Sequence, residues 1–315
     1  MYQEKLKEEY YLISSIELRN NIDTVGLVGI GTMGKCMLEH LLAKGFKVVT
    51  YDAFPAAQEY AKEKGAIVVS SPTELAKTAK LIIMSLPAAK QVLEVVSGEN
   101  GLLDELTEEH VVVDTSTVSP QTSKQCAEMV AVKGTSYIDA PILGRPSASG
   151  NWLLPCGGTE KAIEFASPAL LTFAKSVIRV GDNGAGNALK LLNQLMFSVI
   201  NGVSAEVMAL TEVVGIDKKA FYDVISNSGA ATVSGLFKET ARRIVSEEYD
   251  NPTFTVELLC KDAALGIQMT KDAGVTPLIA GFVQMINENA KGKGLAKQDT
   301  SAITKVFSEH FSKIK

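Results

Sequence analysis

The segment Gly29-Ile30-Gly31-Thr32-Met33-Gly34 sets three glycines in the spacing G-x-G-x-x-G. It follows an apolar, β-rich run at 24–29 (TVGLVG) and opens a helical pattern over 33–45, where Met33, Met37, Leu38, Leu41 and Leu42 share one face. The string alone is a weak signal, and its place between strand and helix gives it force. In that setting Gly29 permits a tight turn, Gly31 lets a pyrophosphate approach the backbone, and Gly34 lets the helix pack closely on the strand. Thr32 and Met33 complete the loop, whose N–H groups at the helix N-terminus favour an anion. Asp52, in Tyr51-Asp52-Ala53-Phe54, ends the next apolar run at the expected distance of about 20 residues. An acid there accepts hydrogen bonds from the ribose hydroxyls of an adenine dinucleotide and repels a 2′-phosphate, and no arginine follows it to hold one. NAD is therefore expected in preference to NADP.

The same alternation continues down the chain. Strand-like runs are read at 47–52, 66–70, 80–86, 110–115, 136–141 and 176–180, with helical stretches between them such as 55–64, begun by Pro55. Most runs are continuous in apolar character, as strands covered on both faces require. After Gly186 the strand-like runs stop. An apolar-periodic segment from about 187 to 214 ends at Gly215, and further helical segments follow at 217–228, 232–247, 254–274, 276–291 and 298–313. The expected fold is an α/β Rossmann-type doubly wound sheet followed by an all-α C-terminal domain, joined by a long helix. The expected divisions are an N-terminal extension at 1–23, a dinucleotide-binding domain at 24–184 and an all-α substrate and oligomerisation domain at 185–315.

Composition narrows the partners. Hydrophobic residues make up 46% of the 315 and charged residues 21%, proportions that suit a globular chain with a sizeable core. The net charge of −5, with lysines mixed among acids, argues against nucleic acid and leaves small molecules as the expected ligands. Cys36, Cys126, Cys156 and Cys260 lie far apart without a CxxC pair, so neither a disulfide framework nor a zinc site is expected. The three histidines, His40, His110 and His310, show no metal-ligand spacing, so no metal is expected and a catalytic base is sought elsewhere. No uninterrupted apolar run reaches the roughly 18 residues of a membrane span, which excludes the membrane in this reading. The segment 1–23 is too acidic for a presequence and lacks the apolar core of a signal peptide, so the cytoplasm is expected. Its Tyr10, Leu12, Ile13 and Ile16 recur loosely at helical spacing and suggest a short amphipathic helix.

An ordered series of motifs then resembles the β-hydroxyacid dehydrogenase family, which includes 3-hydroxyisobutyrate dehydrogenase and tartronate semialdehyde reductase. The series is GLVGIGTMG at 26–34, LP at 86–87, DTSTVSP at 114–120, DAP at 139–141, GAGNALKLLNQ at 184–194, SAEVMALTEVVGID at 204–217 and FTVELLCKDAALG at 254–266. The resemblance implies an NAD-dependent oxidoreductase that moves a hydride between nicotinamide and a small β-hydroxyacid or related semialdehyde. It implies Lys190 as general acid/base, one helical turn from Asn193 and Gln194, with Asn193 expected to orient the substrate. It places Leu86, Pro87, Thr117 and Lys261 at the cofactor. A lysine ammonium in a partly desolvated cleft beside a cationic nicotinamide should have a lowered pKa, which suits it to move the hydroxyl proton.

One stretch departs from the family's usual V-S-G-G after DAP. Residues 142–150 read Ile-Leu-Gly-Arg-Pro-Ser-Ala-Ser-Gly, so Leu143 stands at the serine position and Arg145 at the second glycine. Leu143, Gly144, Arg145, Ser147 and Gln194 are the expected substrate contacts, and Arg145 or Ser147 is expected to anchor the acid group. Trp152 is expected either at the pocket wall or in the core. A chain with a long apolar helix and an all-α half is expected as a homodimer or homotetramer. Two other readings stand beside this one. An imine reductase shares the glycine loop and long helix but replaces the lysine, and a catalytically silent dinucleotide-binding sensor would account for the altered 142–150 loop.

Overall fold

The computed structural model describes residues 12–13, 22–228 and 234–312. By compactness the chain divides between Lys190 and Leu191.

The first unit is built on a sheet of nine strands among the described residues: β1 (Leu12–Ile13), β2 (Thr24–Val28), β3 (Lys47–Tyr51), β4 (Ile67–Val68), β5 (Leu81–Met84), β6 (Val111–Asp114), β7 (Ser136–Asp139), β8 (Trp152–Gly157) and β9 (Ala174–Gly181). Their order is β1-β9-β8-β7-β6-β5-β2-β3-β4. From β4 to β7 all pairings are parallel, and the order reverses between β2 and β5. Such a switch point is where doubly wound sheets bind ligands, beyond the C-terminal strand ends.

Alternation within the buried strands explains the two-sided cover. Leu81, Ile83, Val111 and Val113 join one core with Met37, Leu38 and Leu41 of the helix Thr32–Ala43. Ile82, Met84 and Val112 join the other with Val92 and Val96 of the helix Ala89–Ser97. Each strand thus feeds both faces at a period of two, and its sequence reads as a continuous apolar run.

Two strands lie outside the sequence expectation. β8, WLLPCG, contains Pro155, which argues against a strand inside a sheet. β7 pairs with it antiparallel through one register only, Asp139↔Gly157, so the proline interrupts no extended ladder on that side. Leu12 and Ile13, expected in a helix, pair antiparallel with Ile178 and Val177 of β9 and cover what is otherwise a sheet edge. Tyr10 and Ile16 lie outside the described residues.

The second unit is helical, with elements at Lys218–Asn227, Gly235–Ser246, Val256–Asp272, Leu278–Ala290 and Thr304–Ser312. Its core gathers Met208, Phe237, Ile244, Leu259, Ile303 and Phe307. The helix Ala185–Val213 begins in the first unit and continues into the second. Its length of 29 residues and an 18-residue window of mean hydropathy 1.2 suffice for a membrane span, which corrects the reading from uninterrupted runs, since amides and hydroxyls break a run without lowering its mean much. Some of those polar groups are paired inside the protein. Ser198 and Asn201 are fully buried, Ser198 accepts from Asn287, and Asn201 donates to the Thr300 carbonyl and accepts from Thr240.

Candidate active site

The glycine loop leaves β2 at the switch point. Gly29 has φ +92°, and a Cβ there would lie 2.3 Å from the Ser85 carbonyl oxygen. A Cβ on Gly34 would lie 1.9 Å from the Gly29 carbonyl oxygen, while one on Gly31 would meet nothing within 4 Å. The loop therefore folds onto itself at its ends and stays open at its middle glycine, the shape needed for a pyrophosphate to reach the backbone. The helix Thr32–Ala43 carries no side-chain cap and no acid in its first turn, so an anion meets no competitor there. Thr32 is exposed and Met33 half-buried. Asp52, at the end of β3, accepts from the Ile30 amide at 2.6 Å and the Phe54 amide at 2.8 Å. A carboxylate offers about four lone-pair sites, so it braces the loop and still has acceptor capacity for ribose hydroxyls. These residues fit an adenine dinucleotide.

Two further loops sit at the ends of β5 and β6. The Leu86 amide donates to Ser116 Oγ at 2.9 Å, which ties the Leu86-Pro87 loop to the loop carrying Thr117. The Val118 amide donates to Asn187 Oδ1 at 3.2 Å, and Asn187 Nδ2 donates to Ser123 Oγ at 3.0 Å. Asn187 is fully buried, one turn before Lys190, and joins the Thr117 loop to the long helix. Asp139, at the end of β7, caps that helix: its Oδ1 accepts from Gly184 N at 2.7 Å and its Oδ2 from Asn187 N at 2.9 Å. Lys190 Nζ donates to the Ile142 carbonyl oxygen at 2.8 Å, which holds the ammonium beside the strand end that carries DAP. The sequence marked Asp139, Asn187 and Ser116 only as parts of motifs, and Ser123 not at all. Their roles depend on partners as far as 69 residues away, although a charged residue ending an apolar strand is a usable signal.

Burial also alters the acids here. Loss of solvation pushes Asp139 up to about 7 against the pull of its two amide donors, and Asp114 up to about 6. Asp139 has an ordinary value of 3.8 when solvated. Its contribution to stability is thus full below about pH 4 and is lost as pH rises to about 7. Over that range the unaltered chain should lose stability relative to an Asp139→Asn variant in urea titrations. Parallel stabilities from about pH 4 to about 7 would contradict this assignment.

The departing loop is ordered by the strand after it. Leu143 and Leu153 exchange backbone hydrogen bonds at 2.9 and 3.1 Å, and Trp152 Nε1 donates to the Arg145 carbonyl oxygen at 2.7 Å. Arg145 and Leu143 are half-buried, while Gly144 and Ser147 are exposed. Trp152 itself is fully buried.

In the second unit the two amides after Lys190 differ. Asn193 is exposed, and Gln194 is buried, with Nε2 donating to Asp262 Oδ2 at 2.6 Å. Lys261 Nζ lies 3.1 Å from Asp262 Oδ1. The structure thus gives a fixed environment to Gln194, where the sequence favoured Asn193, because burial of the fourth position is decided by Asp262, 68 residues on.

A glycine loop open at its centre on the switch point of a mostly parallel sheet defines a dinucleotide-binding α/β protein. Comparison with known proteins agrees. Residues 24–181 match the NAD binding domain of 6-phosphogluconate dehydrogenase, and residues 184–307 match the domain described as NAD-binding of NADP-dependent 3-hydroxyisobutyrate dehydrogenase. The chain is 32% identical to 3-sulfolactaldehyde reductase of Escherichia coli (strain K12), over 89% of this chain and 94% of that protein. It is 30% identical to the mitochondrial 3-hydroxyisobutyrate dehydrogenase of Mus musculus, over 90% and 87%. The crystal structure of a 3-hydroxyisobutyrate dehydrogenase from Salmonella typhimurium superposes with a TM-score of 0.82 at 27% identity, covering 90% of this chain and 99% of that one. The chain belongs to the β-hydroxyacid dehydrogenase family and is an NAD(P)-dependent dehydrogenase acting on CH–OH groups.

Proposed function

We propose that the chain interconverts a small β-hydroxyacid and its semialdehyde in the cytoplasm, with Lys190 as the general acid/base, Arg145 as the anchor for the substrate's acid group and NAD as the preferred nucleotide. The observation that carries this reading is the hydrogen bond from Lys190 Nζ to the Ile142 carbonyl. It holds a group suited to proton transfer at the start of the loop that bears Arg145. The bound nicotinamide supplies or accepts the hydride. Lys190 as the ammonium delivers a proton to the carbonyl oxygen during reduction, and as the amine it takes the hydroxyl proton during oxidation. Arg145 offers a planar fork that can pair with a carboxylate or sulfonate through two parallel bonds. Retention of Lys190 favours alcohol chemistry over the imine reductase reading.

The test is a panel of 3-hydroxyisobutyrate, 3-sulfolactaldehyde and 2-(hydroxymethyl)glutarate, followed at the nicotinamide absorbance with NAD and NADP in turn. At least one should be turned over, faster with the NAD couple. An Asp52→Ala variant should lose that preference by about tenfold, the equivalent of roughly 1.4 kcal/mol. An unchanged ratio of the two efficiencies would refute the role of Asp52. We also propose self-association through the second unit. Leu278, Ile279, Phe282 and Met285 are between 66% and 83% exposed and share one side of the helix Leu278–Ala290, an apolar stripe that solvated helices rarely leave uncovered. Light scattering should give a dimer or tetramer mass, and a monomer mass at micromolar concentration would exclude it.

A further inference from the structure

We infer that Trp152 is the positioning residue that fixes where Arg145 stands, and through it sets the site's selection for acids. The inference rests on the reading that Arg145 anchors the substrate. Three successive residues of the departing loop are each held by the first two residues of β8. Leu143 exchanges both backbone hydrogen bonds with Leu153, at 2.9 and 3.1 Å. Gly144, at φ +156°, lies flush on the indole: a Cβ there would stand 2.3 Å from Trp152 Cδ1. The Arg145 carbonyl accepts the indole N–H at 2.7 Å, and the same oxygen accepts from the Ala148 amide at 2.9 Å, which closes the turn after it.

The indole is itself immobile. Trp152 is fully buried and meets the Phe173 ring edge-on, with centroids 6.0 Å apart. The Phe173 carbonyl accepts from the Gly150 amide at 2.9 Å, so the far end of the loop is tied to the same aromatic pair. A buried indole N–H requires a partner, and Arg145 cannot move its backbone away without leaving that donor unpaired. The loop is a surface segment whose composition, Gly-Arg-Pro-Ser-Ala-Ser-Gly, favours mobility. It gains a fixed register from one core side chain. Because the ordering acts through the backbone carbonyl of Arg145, it fixes where the side chain of the anchor starts.

The experiment compares Trp152→Phe, which keeps a ring under Gly144 and removes the donor, with Arg145→Ala and the double variant. The readouts are the KM and kcat for 3-hydroxyisobutyrate, its Kd by calorimetry in the NADH-saturated enzyme, where the pair cannot react, and the Kd for NADH as a check on folding. Trp152→Phe should raise KM and Kd for the acid on the order of tenfold, with kcat and NADH affinity within about twofold. It should leave KM for the uncharged methyl ester unchanged. In the Arg145→Ala background the Phe substitution should add no more than about twofold, since the two residues act through one contact. Gly144→Ala, which lifts the loop off the indole, should reproduce the acid-selective loss if Trp152→Phe fails to fold. An unchanged KM in Trp152→Phe, or a full loss that persists without Arg145, would overturn the role of Trp152. An Arg145→Ala enzyme with unchanged acid KM, or an unaltered enzyme that does not bind the acid, would instead overturn the anchoring reading beneath it.

Discussion

A Lys190→Ala chain is expected to bind NADH as the unaltered chain does and to turn its substrate over about 10² to 10⁴ times more slowly, the range that a positioned general acid/base contributes. The expectation follows from where the lysine stands. Asp139 caps the helix that carries it, Asn187 ties that helix to the Thr117 loop, and the Ile142 carbonyl receives its ammonium. The first two do not involve the lysine side chain, so its removal beyond Cβ leaves the scaffold in place. Lys190→Arg separates proton transfer from charge. An arginine keeps a cation at the site but does not release its proton in a protein, so it should be as slow as alanine. Near-normal turnover in the arginine variant would mean that the lysine serves only as a fixed positive charge. Steady-state rates together with NADH titration decide between these outcomes.

Gly34→Ala and Gly31→Ala should fail in different ways. A methyl group on Gly34 meets the Gly29 carbonyl oxygen at 1.9 Å, backbone against side chain with nothing flexible between. The helix must lift from the strand, at a cost of roughly 1–3 kcal/mol for an overpacked contact, and the loop loses its shape with it. The Gly34 variant should therefore show both a lower Tm and a nucleotide Kd raised at least about tenfold. On Gly31 the methyl meets no protein atom within 4 Å, so the Tm should hold while nucleotide affinity falls, because the methyl occupies the phosphate's approach. A Gly31→Ala chain that bound NADH normally would remove this loop from the nucleotide site.

The parts of the fold that the sequence discloses are those written locally. The strand–glycine loop–helix unit, Asp52 one strand later, and the change from continuous apolar runs to helical periodicity after Gly186 each depend on neighbours in sequence. What it hides depends on distant partners. Leu12 and Ile13 take their conformation from the edge of β9. Pro155 is tolerated in β8 because β7 meets that strand at a single register. Trp152, read from sequence as either pocket wall or core, is a core residue that holds the 142–150 loop by its backbone. The third and fourth positions after Lys190 are indistinguishable as amides in the sequence, and only Asp262 separates the buried Gln194 from the exposed Asn193. Asp139 shows the same limit: its motif is visible, yet its work as a helix cap from 45 residues away is not.

The most direct test of Lys190 as the proton-handling group is the pH profile of kcat/KM for oxidation, measured on the unaltered chain and on Lys190→Ala with the same substrate and nucleotide. The unaltered chain should show an ionisation on the acid side that must be deprotonated for activity, and the residual rate of the variant should lack it. A residual rate that keeps the same acid limb would show that another group moves the proton.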